Sequence, residues 1–76
     1  MTTGFDYDGA PMIELVELLA SEDPRQRADA ACAMGDRVRA RELATLGDDE
    51  REALAMRLED PVAAVRFEAA MALAEI

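Results

Sequence analysis

The chain repeats itself once, at an offset of 39 residues: Leu15, Leu19, Ser21, Arg27, Ala30, Ala31, Ala33 and Met34 fall on Leu54, Leu58, Asp60, Arg66, Ala69, Ala70, Ala72 and Leu73. In each copy a leucine-bearing amphipathic stretch leads into an acidic, proline-containing corner, then an arginine, then an alanine-rich run. The first copy reads LLASEDPRQRADAACAMG and the second RLEDPVAAVRFEAAMALAE. Self-similarity at a period of about 20 to 50 residues marks architectures whose units share one core, because no unit can bury its apolar face alone. Such a chain points to surfaces made for partners and away from a pocket made for chemistry.

At 76 residues the chain is one small domain near the lower limit for a self-sufficient core, so any spare apolar face matters energetically. Acidic residues number 17 and basic residues 8, every basic one an arginine, while lysine, histidine, asparagine and tryptophan are absent and alanine occurs 16 times. Arginine and alanine without lysine or asparagine suggest a GC-rich bacterial genome. The net charge of −9 disfavours nucleic acid, whose binding depends largely on cationic neutralisation of phosphates. Proteins are the expected partners. MTTGFDYDGAP has neither a basic leader nor a long apolar run, which excludes a secretory signal or membrane anchor at this position and makes the cytoplasm the default location.

No stretch alternates with period two for long enough to form a strand, so the fold is expected to be all-α. Residues 1–9 read as a flexible arm, and residues 10–76 as a helical domain with repeats at about 11–46 and 48–76. The first helix is expected from Pro11 to about Ala20, since proline suits a first helical turn. Asp23 caps the second, with Pro24 at its first position and Gln26 three residues after the cap, close to a capping box. Asp49, with Glu52 three residues later, starts a third helix ending near Leu58, and Asp60-Pro61 opens the last. Gly35 either ends the second helix or weakens it by about 1 kcal/mol relative to alanine. Met34, Val38 and Ala44 or Thr45 keep an approximate stripe beyond it, so helix is expected to continue or resume.

These residues resemble the HEAT repeats, particularly the short bacterial HEAT-like units first associated with phycobilin lyases. That pattern has a leucine-rich helix, a turn aspartate, an arginine six residues on, then Ala-Ala-x-Ala-Leu-Gly. Leu54, Leu58, Asp60, Arg66, Ala69, Ala70, Ala72 and Leu73 match it in the second copy; Leu15, Leu19, Arg27, Ala30, Ala31, Ala33, Met34 and Gly35 match in the first, where Ser21 replaces the aspartate. The resemblance covers about residues 11–76 and implies two stacked helical hairpins, a short α-solenoid. It also implies that Arg27, Asp60 and Arg66 belong to a structural ladder between units, with Ser21 weakening its first rung. The spacing of 39 lies above the roughly thirty residues of the short units and just under the roughly 40 to 47 of full HEAT units. The surplus between Gly35 and Leu46 holds Arg37, Arg39 and Arg41. Residues 25–41 carry +3, whereas 1–24, 42–60 and 61–76 carry −6, −5 and −1.

Both outer helices are apolar too far round for a solenoid end, which should be polar outside. PMIELVELLA has only Glu14 and Glu17 as charges, and PVAAVRFEAAMALAEI only Arg66, Glu68 and Glu75. Leaving about 400 Å² of apolar surface wet would forgo roughly 10 kcal/mol of burial. Self-association as a homo-oligomer, or a stable protein partner, is therefore expected. Contact residues are expected at Ile13, Val16 and Leu19 on the first helix and Phe67, Met71 and Ile76 on the last, with Arg37 and Arg41 as a polar rim. On a helix positions 37 and 41 share a face and 39 points elsewhere. A role as accessory or regulatory subunit of an enzyme, as in the lyase-type relatives, is the alternative.

No enzyme and no cofactor is expected. Without histidine there is no ordinary general base or imidazole ligand, and Cys32 in AACAM reads as a small buried side chain with nothing to activate it. Asp6-Tyr7-Asp8-Gly9 resembles a calcium-loop start, but aligning Gly9 on the loop glycine puts Leu15 where a glutamate is needed. An acyl-carrier reading fails because the only serine, Ser21, lies in Ala-Ser-Glu.

Overall fold

The computed structural model describes residues 6, 7, 9–40 and 46–75. Four α-helices follow one another: α1 (Met12–Leu18), α2 (Pro24–Arg39), α3 (Asp48–Met56) and α4 (Ala63–Ala74), with a 3-10 turn over Arg57–Glu59 between the last two. No strand occurs among the described residues, and the fold is all-helical.

Local chemistry sets the helix starts. Asp23 caps α2, its Oδ1 accepting the Arg25 N–H at 2.9 Å, with Pro24 in the first turn as expected. Gln26 does not close a capping box: its Oε1 accepts the Ser21 hydroxyl at 2.6 Å, and the Ser21 oxygen accepts the Asp23 N–H at 3.1 Å. In α3 the cap is Gly47 rather than Asp49, and Glu50 rather than Glu52 reaches back to accept the Gly47 N–H at 2.7 Å. This start brings Asp48, Asp49 and Glu50 into the first turn, where the helix dipole favours negative charge. α4 begins later than Asp60-Pro61 suggested, with Val62 as its cap residue. Asp60 is extended, and its carboxylate is turned inward to Arg27 while its Oδ1 also accepts the Val62 N–H. The 39-residue register nevertheless holds for structure as well as sequence, because Pro24 and Ala63 are the first residues of α2 and α4.

Gly35 neither ends nor breaks α2, which runs through it to Arg39. A Cβ added at Gly35 would lie 2.8 Å from the Cα of Ala72 and 3.0 Å from its Cβ. The glycine lets the two backbones approach, and this packing offsets its helix cost of about 1 kcal/mol. α2 lies chiefly on α4, α1 on α2, and α3 on α4. Leu15, Met34, Leu54 and Val65 are the largest fully buried side chains, with Ala30, Ala31 and Ala69 letting the helices close around them.

The N-terminal end is covered. Tyr7 and Ala10 pack against the core, and the Arg37 guanidinium donates to the Tyr7 carbonyl at 2.9 Å and to the Ala10 carbonyl. Tyr7 and Ala10 are thereby held against α2 through Arg37. The expected helical continuation beyond Arg39 falls on 41–45, outside the described residues. Among the described residues no helix is long and apolar enough to cross a membrane.

Candidate functional site

The geometry is organised around one buried ion pair. Asp60, 2% exposed, accepts from Arg27 Nε at 2.7 Å and Arg27 Nη2 at 3.0 Å, a bidentate pairing between the two repeats. Arg57 Nη1 at 3.2 Å and the Val62 N–H at 2.9 Å add to the same carboxylate. These bonds, the Arg27 pairing foremost, outweigh the cost of burial and hold the Asp60 carboxyl below its ordinary range. Bonding to Asp60 likewise raises the Arg27 guanidinium above its usual value.

The two repeat arginines are anchored alike. Arg27 Nη1 donates to the Ser21 carbonyl at 2.8 Å, and Arg66 Nη1 donates to the Asp60 carbonyl at 2.7 Å, each reaching six residues back. Arg27 also donates to the Glu22 carbonyl at 3.2 Å. They differ in what the rest of the fork meets. Arg27 is buried on Asp60, whereas Arg66 is exposed and has no carboxylate across from it among the described residues.

The same contrast runs along both units. Leu19, Ala31 and Gly35 are buried, while their repeat equivalents Leu58, Ala70 and Ala74 are exposed. Phe67 and Met71 are 61% and 47% exposed beside them. The outer side of α4 is thus an apolar strip of Ala63, Phe67, Ala70, Met71 and Ala74, bordered by the Arg66 guanidinium. Toward α2 the strip passes into a shallow groove that Phe67 and Met71 share with Cys32, Gly35 and Arg39.

The expected contact residues divide accordingly. Phe67 and Met71 lie together on α4. Ile13 is 65% exposed but belongs to α1. Val16 is half-buried against the core, where it lines a second hollow with Ala53, Met56 and Arg57. Leu19, 2% exposed, is a core residue and offers no surface, because the second repeat closes over it. Arg37 is spent on the N-terminal segment, so it forms no rim beside Phe67. Arg39 turns instead to Asp36 and, at 3.4 Å, to Glu75. The arginines therefore do not make a single basic patch. Arg41 and Ile76 lie outside the described residues.

Cys32 corrects the sequence reading, for it is exposed in the groove and not buried. Partial cover by α4 pushes its thiol pKa up, and Asp36, Glu68 and Asp29 push it further. Such a thiol is a poor nucleophile near neutrality. Among the described residues no group of three or more aspartate, glutamate, histidine or cysteine side chains could hold a metal ion.

Sequence reasoning saw that Ser21 lacks the carboxylate that Asp60 supplies but gave both ends the same open apolar face, missing that Leu19, Ala31 and Gly35 are buried where Leu58, Ala70 and Ala74 are exposed. No family model matches the chain, and no curated protein or solved structure resembles it at a significant level.

Proposed function

We propose that the chain is a protein-docking module of HEAT-like repeats that acts through the outer face of α4. The observation that carries this reading is the contiguity of exposed Phe67 and Met71 with Ala70 and Ala74, edged by Arg66. An apolar centre with an arginine at its margin has the composition of an interface core and rim. A large apolar side chain such as Phe67, exposed on so small a domain, gains free energy by burial against a partner. No reaction is assigned. Service as an accessory subunit of an enzyme would use the same face, the partner then being the catalytic chain.

Phe67→Asp tests the proposal in a size and binding assay. Sedimentation and a pull-down with identification of bound chains, run on the parent and the variant, should show an assembly lost in Phe67→Asp while far-UV circular dichroism stays unchanged. Assemblies of equal size and composition for both proteins would reject the face.

A further inference from the structure

We infer that the α4 face receives a helix pair from a different protein, whose corner presents a carboxylate to Arg66. This rests on the docking reading above and names its partner. The chain already contains the interface in miniature. Applying the 39-residue offset to the contact between the units carries Leu19, Arg27, Ala31 and Gly35 onto Leu58, Arg66, Ala70 and Ala74. The first set is buried, with Arg27 on Asp60, Gly35 against Ala72 of α4 and Leu19 beside Ala53 of α3; the second is exposed. A partner resembling the second unit fits the second set for the same physical reasons except at Ala74, whose Cβ stands where Gly35 has none, so the partner must cross there at a wider distance than Ala72 keeps from Gly35.

Its chemistry follows from the fork. With Nη1 fixed on the Asp60 carbonyl, Arg66 keeps the anchoring that Arg27 has, and Arg27 uses the remaining donors to grip both oxygens of a carboxylate. A planar guanidinium held in this way favours a bidentate oxyanion over a lone acceptor. The flanking strip of Ala70 and Ala74 is of small residues and admits a helix, with Phe67 at its edge.

A second copy does not supply this partner. The position equivalent to Asp60 on its other end is Ser21, whose hydroxyl is occupied by Gln26 and the Asp23 N–H. Its own Asp60 is saturated by Arg27, Arg57 and Val62. Two α4 faces paired about a two-fold axis would bring two Arg66 side chains to one apolar seam, where like charges oppose the pairing.

The test takes the full chain with Ala74→Gly, which restores the small residue found at Gly35, and extends it at its C-terminus with a second copy of residues 38–76, setting a copied Asp60 39 residues beyond the first; the parent carries the same Ala74→Gly change. Urea unfolding of the extended chain is compared with that of the parent, and the parent's mass is measured by sedimentation equilibrium. We expect a monomeric parent and an extended chain that unfolds once, at higher urea. Arg66→Gln and the copied Asp60→Asn should each weaken the extended chain, and their combined effect should fall short of additive by about tenfold in the unfolding constant. The parent should be insensitive to Arg66→Gln on this scale. Additive effects, or an appended unit that melts separately, would overturn the carboxylate-bearing partner. A parent homodimer that Phe67→Asp dissolves would also overturn it while leaving the docking reading intact. A monomeric parent that binds nothing through Phe67 would remove both.

Discussion

Removing the Asp60 carboxylate should be among the most damaging single changes available to this chain. Asp60→Ala leaves the Arg27 guanidinium covered by the second repeat with no counter-charge, and deprives Arg57 and the Val62 N–H of an acceptor. Breaking one partner of a buried pair costs about 3 to 5 kcal/mol. Arg27 retains a little exposure and its Nη1 bonds to Ser21 and Glu22, so the lower figure of about 3 kcal/mol applies, roughly a hundredfold in the unfolding constant. Against a total stability of roughly 4 to 11 kcal/mol for a domain this small, that is a large share. Urea denaturation followed by far-UV circular dichroism reads it directly, with exposed Asp49→Ala as the control. The double variant Arg27→Met/Asp60→Leu should recover most of the loss, since an apolar pair of similar volume carries no stranded charge. The pH dependence has a fixed sign. Asp60 titrates lower in the folded chain than in the unfolded one, so its contribution is complete above the ordinary aspartate value of about 3.9 and is lost as pH falls through its depressed folded value. A loss for Asp60→Ala no greater than for Asp49→Ala at neutral pH would refute the central role of the pair.

Gly35→Ala should destabilise the fold even though alanine is the better helix former. Overpacking against the Ala72 backbone costs about 1 to 3 kcal/mol and outweighs a propensity gain of about 1 kcal/mol; a raised melting temperature would contradict the close crossing of α2 and α4. Cys32 should react with a disulfide reagent at pH 8 more slowly than glutathione despite its exposure, because a raised pKa lowers the thiolate fraction. A faster rate would show that the groove does not screen it.

Much of the fold was legible in the sequence because its signals are local. Asp23-Pro24 announces the start of α2 through cap and ring chemistry, and period-two alternation is absent throughout. Asp60-Pro61 misled by two residues: Asp60 holds the Val62 N–H while its carboxylate is also drawn inward by Arg27, 33 residues away, and helix begins only at Ala63. Gly35 was ambiguous for a related reason, since only the neighbouring Ala72 backbone explains a glycine inside a helix. Of the apolar circumference of α1, Ile13 stays exposed and Val16 lines a hollow, while Leu15 and Leu19 are buried and Tyr7 and Ala10 join the core. For the candidate site, Phe67 and Met71 could be read from helical spacing alone. The selection of Arg66 over Arg37 could not, because it depends on which guanidinium the chain already uses.

Equivalent positions of the two repeats are covered in one and open in the other. Solvent paramagnetic relaxation of side-chain methyl groups measures this most directly. The Ala31 methyl should be shielded from a soluble paramagnetic agent, while the Ala70, Ala74 and Met71 methyls relax strongly. Equal shielding of Ala31 and Ala70 in the isolated chain would contradict the account.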